Sequence, residues 1–134
     1  MSLIKSQKDL DGMRAAGQAT GQALDFIASY VRPGITTEEL NVHSHAYITE
    51  ELKARPASLD YKGFPKSICT SVNNVVCHGI PTEQKRLANG DIVNVDVALE
   101  KDGYYGDSSR TFCVGKVSAY ARRLVEVTLS LIHI

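Results

Sequence analysis

An excess of charge of either sign is missing from this sequence. Its 15 Lys and Arg are matched by 15 Asp and Glu, giving a formal net charge of +0. That argues against the strongly basic balance of a general nucleic-acid binder, although a local patch stays possible. Also missing is any apolar run near the ~18 residues that span a membrane, and Met1-Ser2-Leu3-Ile4-Lys5 lacks a signal peptide's long apolar core. Cysteine is scarce and odd in number: Cys69, Cys77 and Cys113 form no C-x-x-C pair. This argues against a disulfide framework or a thiolate zinc knuckle and fits a reducing cytosol. There is no internal repeat, linker or low-complexity tract. At 134 residues, 43% hydrophobic and 22% charged, the composition is that of one globular domain or a piece of one. A cytoplasmic location is the expectation.

What is present begins with helical periodicity. From Ser6 to Val31, Leu10, Met13, Ala16, Ala19, Ala23, Phe26, Ile27 and Tyr30 recur at three- and four-residue steps, one face of a helix. Ser6 with Asp9 forms a capping pair, and Pro33-Gly34 stops the run. A second helix is expected from Thr36, with Glu39 as capping-box partner, through Leu40, Tyr47, Ile48 and Leu52 to Arg55-Pro56. His43 and His45 on it are expected to face solvent or a neighbour. Residues 118–128 carry the pattern of a third helix that has barely begun.

Between these the period changes to two. In Asp91–Glu100, Val93, Val95, Val97 and Leu99 point one way, and Asn94, Asp96 and Ala98 the other. Asp102-Gly103 then reads as a two-residue hairpin turn into Tyr104–Val114. That turn pairs Lys101 with Tyr104 and Asp96 with Ser109, which puts Asp107 diagonal to Asp96 on the same face. Diagonal neighbours have α-carbons about 7–8 Å apart. Two carboxylates so placed repel unless a cation lies between them or one takes a proton. Paired divalent ions, about 3.5–4 Å apart, fit such a gap. A solvated bulge at Asp107 and an edge-strand charge at Asp96 fit the spacing too.

The same arithmetic around Asn73-Asn74 expects another hairpin, Ser67–Val72 against Val75–Ile80. It sets Cys69 opposite His78, on a face shared with Ser71 and Val76. His78 in that apolar strand reads either as a hydrogen-bonded core residue or as a catalyst. Cys69 reads as a small apolar wall rather than a nucleophile. The order helix, helix, hairpin, hairpin argues an α+β fold.

Three of these segments carry a family resemblance. Ser71-Val72-Asn73-Asn74-Val75-Val76-Cys77-His78-Gly79-Ile80-Pro81 resembles the histidine-bearing hairpin of type I methionine aminopeptidases. Asp91-Ile92-Val93-Asn94-Val95-Asp96-Val97, followed by Asp102-Gly103-Tyr104-Tyr105-Gly106-Asp107-Ser108-Ser109, is similar to their two-aspartate metal hairpin. Tyr61-Lys62-Gly63-Phe64-Pro65-Lys66-Ser67 is similar to their approach to the side-chain pocket. The resemblance runs from about residue 3 to residue 128. It implies the first half of a pita-bread fold and removal of the initiator methionine from nascent polypeptide N-termini near the ribosome, without membrane or specific nucleic-acid binding. Two divalent metal ions, of cobalt, manganese, iron or zinc, are implied as cofactors that activate a water and polarise the scissile carbonyl. By motif position Asp96 ligates one metal, Asp107 bridges both, His78 is the catalytic, substrate-binding residue, and Tyr61, Phe64 and Cys69 line the methionine pocket. A full-length monomer is implied.

The family also needs a further metal-binding histidine, two glutamates and a second catalytic histidine, for which nothing after Asp107 offers a matching motif. Residues 1–128 therefore read as the N-terminal half of one catalytic domain, inactive alone. Residues 129–134 are nearly all apolar, match the translation of a transposon-end sequencing adapter, and read as a non-native tail. On this reading Val93, Val95, Val97 and Leu99 lose part of their cover and a sheet edge stays unpaired, which favours aggregation. Two other readings are a pita-bread peptidase cutting beside proline, disfavoured because those carry an extra leading domain, and a binding relative without catalysis, disfavoured because Asp96, Asp107 and His78 are all retained.

Overall fold

The computed structural model describes residues 6–133. Met1–Lys5, read above for a signal peptide, and Ile134, the last residue of the expected tail, lie outside them. Ser6 caps α1 (Gln7–Ala28), its hydroxyl accepting the Asp9 amide at 3.1 Å. Thr36 caps α2 (Thr37–Ala46) in a full capping box: the Glu39 amide donates to the Thr36 hydroxyl, and the Glu39 carboxylate accepts the Thr36 amide at 2.7 Å. A π-helical turn, Tyr47–Glu51, continues α2. Both expected helices form where their caps and periodicity place them.

The sheet is built on β3 (Ile92–Lys101), which pairs antiparallel along its length with β4 (Tyr104–Cys113). Asp102 at φ 53° and Gly103 at φ 86° make the tight turn between them, both residues left-handed as that hairpin geometry requires. Lys101 opposes Tyr104 and Asp96 opposes Ser109, the register expected from the sequence. The other side of β3 is shared by two short strands, β1 (Arg55–Pro56) at Leu99–Glu100 and β2 (Cys69–Val72) at Val93–Asp96. α3 (Ala119–Ser130), capped by Ser118, and a 3-10 turn (Leu131–His133) follow β4. Tyr120, Leu124, Val127, Leu131 and Ile132 of this terminal segment are exposed.

Two sequence expectations need correction. The hairpin around Asn73-Asn74 does not form. The chain does turn there, with Asn73 at φ 53° and the Val75 amide bonded to the Val72 carbonyl at 3.1 Å. Residues 75–80 then form no strand; they run as a loop in which His78 is left-handed (φ 54°) and Val76 is 94% exposed. Cys69 consequently faces Asp96, not His78. Nor is the valine face uncovered. Val93, Val95, Val97 and Leu99 are each 0% exposed, in one core with Ala19, Ala23, Leu24 and Ile27 of α1 and Leu40 of α2. α1 alone supplies much of the cover that the expectation assigned to absent chain. The outer edge of β4 has no strand partner among the described residues, as expected.

Asp91, just before β3, ties the strand to its surroundings. Its carboxylate accepts the Asn73 side-chain amide at 2.8 Å and the Ala88 amide at 3.0 Å, with Lys85 at 3.5 Å. Burial alone raises its pKa, but these three partners outweigh burial and hold the carboxyl below its ordinary value. Glu39 is lowered too, first by the Thr36 amide and then by the Thr36 hydroxyl. A carboxyl whose folded pKa is depressed contributes stability above its unfolded pKa and loses it as pH falls through the folded one. The contribution of these two carboxyls is therefore expected to be fully present from neutral pH down to about pH 4.5 and to be lost below. Urea midpoints across pH 3–7 check this, and Asp91→Asn should flatten the acid limb.

Candidate metal centre

The β3–β4 register decides which side chains meet. Val93, Val95, Val97 and Leu99 fill the face under α1, and on β4 that face carries Gly106 and Arg110, the latter paired with Asp25 of α1 at 2.9 Å. The opposite face takes Asn94, Asp96 and Ala98 from β3, Asp107, Ser109 and Thr111 from β4, and Cys69 and Ser71 from β2. Asn94 donates to Ser109 at 3.3 Å and to Thr111 at 3.1 Å, which fixes the two strands on that side.

Asp96 is half-buried and Asp107 exposed, and their carboxyl groups lie close enough for Asp107 to perturb Asp96. Burial, and then the Asp107 charge and hydrogen bond, push the Asp96 pKa up. His78 acts in the opposite sense and lowers it, so the imidazole lies within electrostatic reach of the pair although its strand is absent. Cys69, the β2 partner of Asp96, is buried beside it. Burial first, then Asp96, Asp107 and Cys77, push its thiol up to about 11. At neutral pH it stays protonated, and is expected to resist iodoacetamide well after the exposed Cys77 has reacted. Mass mapping of the alkylated chain checks this.

Two adjacent carboxylates on one sheet face fit hard divalent cations, which supply the positive charge their repulsion calls for. They fit only one part of such a site. Among the described residues no three His, Cys, Asp or Glu side chains converge closely enough to hold an ion, and two carboxylates leave most of a divalent coordination sphere open.

Tyr61 and Phe64 lie on a tight turn ahead of β2, with Asp60, Lys62 and Gly63 all at positive φ. Tyr61 is exposed beneath the Lys62 ammonium, and Phe64 is half-buried. This segment hangs from α2: Glu38 pairs with Lys66 at 2.7 Å, Asn41 accepts the Ser67 amide at 2.9 Å, and His45 Nδ1 meets the Ser67 hydroxyl at 2.7 Å. A cavity of about 390 Å³ lies between α2 and the segment, lined by His45, Thr49, Glu50, Leu59, Pro65 and Ser67. Tyr61, Phe64 and Cys69 do not line it. His43 stacks on Tyr30 at 4.2 Å, so both helix histidines serve neighbours. Ser71 and Asn73, which hold the two ends of the His78 loop, read from the sequence as a sheet-face residue and a turn residue, not as anchors.

Comparison with known proteins adds the family. Its sequence pattern, metallopeptidase family M24, matches residues 11–133. The methionine aminopeptidase of Rickettsia prowazekii is 54% identical over 125 residues, 93% of this chain and 48% of that protein. Among solved structures, methionine aminopeptidase from Rickettsia prowazekii superimposes with a TM-score of 0.92 at 53% identity, over 97% of this chain and 52% of that one. Methionine aminopeptidase from Thermotoga maritima gives 0.93 at 34% identity, over 99% and 53%. The chain spans about half the length of the curated relatives it matches. No helix among the described residues is long and apolar enough to cross a membrane. With nearly its whole length inside the family pattern, and the α+β architecture and paired carboxylates in place, the chain belongs to metallopeptidase family M24.

Proposed function

We propose that this chain contributes the Asp96–Asp107 side of a methionine aminopeptidase site, which removes N-terminal methionine from nascent polypeptides in the cytoplasm. The observation that carries the reading is the carboxylate pair, diagonal neighbours on one polar sheet face with His78 in electrostatic reach. Asp96 and Asp107 are the chain's metal ligands, and two divalent ions at the site supply charge that activates water and polarises a carbonyl. His78 donates to the substrate beside the scissile amide. Cys69, with Tyr61 and Phe64 upstream, forms the wall for the methionine side chain, where a neutral thiol beside a thioether suits an adaptable apolar contact. Since the carboxylates leave the coordination open, the chain alone is inactive, and the remaining ligands come from the other half of the family fold.

The test is methionine release from a Met-Ala-Ser peptide with manganese or cobalt. It compares this chain alone with a chimera in which it replaces the matching half of the Rickettsia prowazekii relative. Release by the chimera, abolished by chelator, is expected. A metal-loaded chimera that releases nothing overturns the function, and release by the chain alone overturns the incomplete site. In the chimera, His78→Ala should cut turnover about a hundred- to a thousand-fold, the usual effect of removing one transition-state hydrogen-bond donor. Metal content by atomic emission should stay unchanged, and loss of metal would make His78 a ligand instead.

A further inference from the structure

His78 lies in an exposed loop that makes no strand, yet a residue aimed at substrate must be held within about 0.5 Å of its working position. The structure holds this loop at both ends. At its start, Asn73 exchanges bonds with β3: its amide donates to the Ile92 carbonyl at 3.0 Å, and its side-chain oxygen accepts the Ile92 amide at 3.0 Å. At its end, beside His78, Gly79 is gripped by β2. The Thr70 amide donates to the Gly79 carbonyl at 2.8 Å, and the Gly79 amide donates to the Ser71 hydroxyl at 3.1 Å. The approach is so close that a Cβ on Gly79 would strike the Thr70 carbonyl oxygen and stand 2.8 Å from its carbon. Between the anchors, Val75, Val76, Cys77 and His78 are exposed.

The place of the grip matters. Thr70 and Ser71 directly follow Cys69, whose β3 partner is Asp96. Fixing Gly79 there brings the peptide carrying His78 alongside the strand that pairs with β3 at Asp96. A left-handed histidine costs conformational energy that a free loop has no reason to spend, which makes His78 at φ 54° a geometry imposed by its anchors. Ser71 itself is buried, and its side chain belongs to the polar sheet face.

We propose that Ser71 is a positioning residue: its hydroxyl, together with the Thr70–Gly79 backbone bond, latches the Gly79 peptide so that the His78 imidazole is held at the Asp96–Asp107 pair. The proposal deepens the function proposed above and rests on it.

Two magnetic-resonance measurements on the whole chain test it. The first is amide hydrogen exchange. Gly79 should exchange at least ten-fold more slowly than Val76 and Cys77, which donate to no acceptor among the described residues. Ser71→Ala should speed Gly79 about ten-fold, one ordinary hydrogen bond, and Ser71→Thr should restore it, with the β3–β4 amides unchanged. The second uses Mn²⁺ alone as a paramagnetic probe. His78 ring protons should broaden in the unmutated chain, and Asp96→Asn should abolish the effect. In Ser71→Ala the broadening should fall several-fold while the amides flanking Asp96 still broaden. Gly79→Ala, which defeats the latch sterically and keeps the hydroxyl, should give the same loss. Gly79 exchange as fast as Val76 in the unmutated chain, or full His78 broadening in a folded Ser71→Ala chain, overturns the latch. Absence of broadening in the unmutated chain overturns the metal reading instead, and the exchange arm then decides the latch by itself.

Discussion

Asp96→Asn is expected to weaken divalent-metal binding by the completed chimera at least about a hundred-fold, with no loss of fold. Replacing groups that merely orient a ligand already costs about ten- to a hundred-fold in affinity, so removing a ligand charge belongs at or beyond the upper end. The stability prediction runs the other way from most substitutions of half-buried residues. Burial, and then the Asp107 carboxylate, raise the folded Asp96 pKa above its ordinary value of 3.8. The folded state therefore holds that proton more tightly than the unfolded one, and stability declines as pH rises from 3.8 through the raised value. At neutral pH the ionised carboxylate is a cost to the metal-free fold, and a neutral amide of the same shape removes it. Calorimetric melting with chelator present should show Asp96→Asn melting at or above the unmutated chain at pH 7, while titration with Mn²⁺ shows the affinity lost. A mutant that binds Mn²⁺ as before, or one that melts far lower, contradicts the assignment.

How much of this was legible in the sequence follows from what each element depends on. The β3–β4 hairpin is local. Asp102-Gly103 takes the two left-handed positions that the turn needs, and the alternation from Val93 to Leu99 leaves one register in which the apolar set faces inward. The meeting of Asp96 with Asp107 then follows by counting. Helices α1 and α2 are legible for the same reason, since each carries its own cap. The Asn73-Asn74 segment misleads because β2 finds its partner in β3, some twenty residues on along the sequence, and not in the chain that follows it directly. No short-range pattern encodes that choice. Once β3 holds one edge of β2, the loop meets the other edge at Gly79, and this contact depends on the absence of a side chain. The exposure expected for the valine face failed on a related point. How completely α1 covers it depends on how closely the helix approaches, and glycine sets that distance.

Gly106→Ala and Gly17→Ala are expected to change stability in opposite directions although the chemical change is identical. Gly106 lies on β4 on the face under α1, opposite Leu99. A Cβ there would strike the Ala16 carbonyl oxygen, with the Ala16 carbon at 2.7 Å and the Gly17 nitrogen at 3.1 Å. These are backbone atoms of a helix, which no rotamer change can move aside, so α1 must lift from the sheet. Lifting it loosens the core that α1 shares with Val95, Val97 and Leu99. Overpacking of this kind costs about 1–3 kcal/mol or more, a large share of the roughly 5–15 kcal/mol that holds a domain folded. Because Asp107 follows directly, the strain also shifts the carboxylate pair, and Mn²⁺ affinity should fall with the stability. Gly17 sits inside α1, and a Cβ there meets nothing within 4 Å. Alanine at that position restricts the unfolded chain and favours the helix, for a gain of about 0.5–1 kcal/mol. Urea unfolding of the two variants beside the unmutated chain should move the midpoint down for Gly106→Ala and up for Gly17→Ala. Equal shifts in one direction would mean that helix and strand do not meet through Gly106.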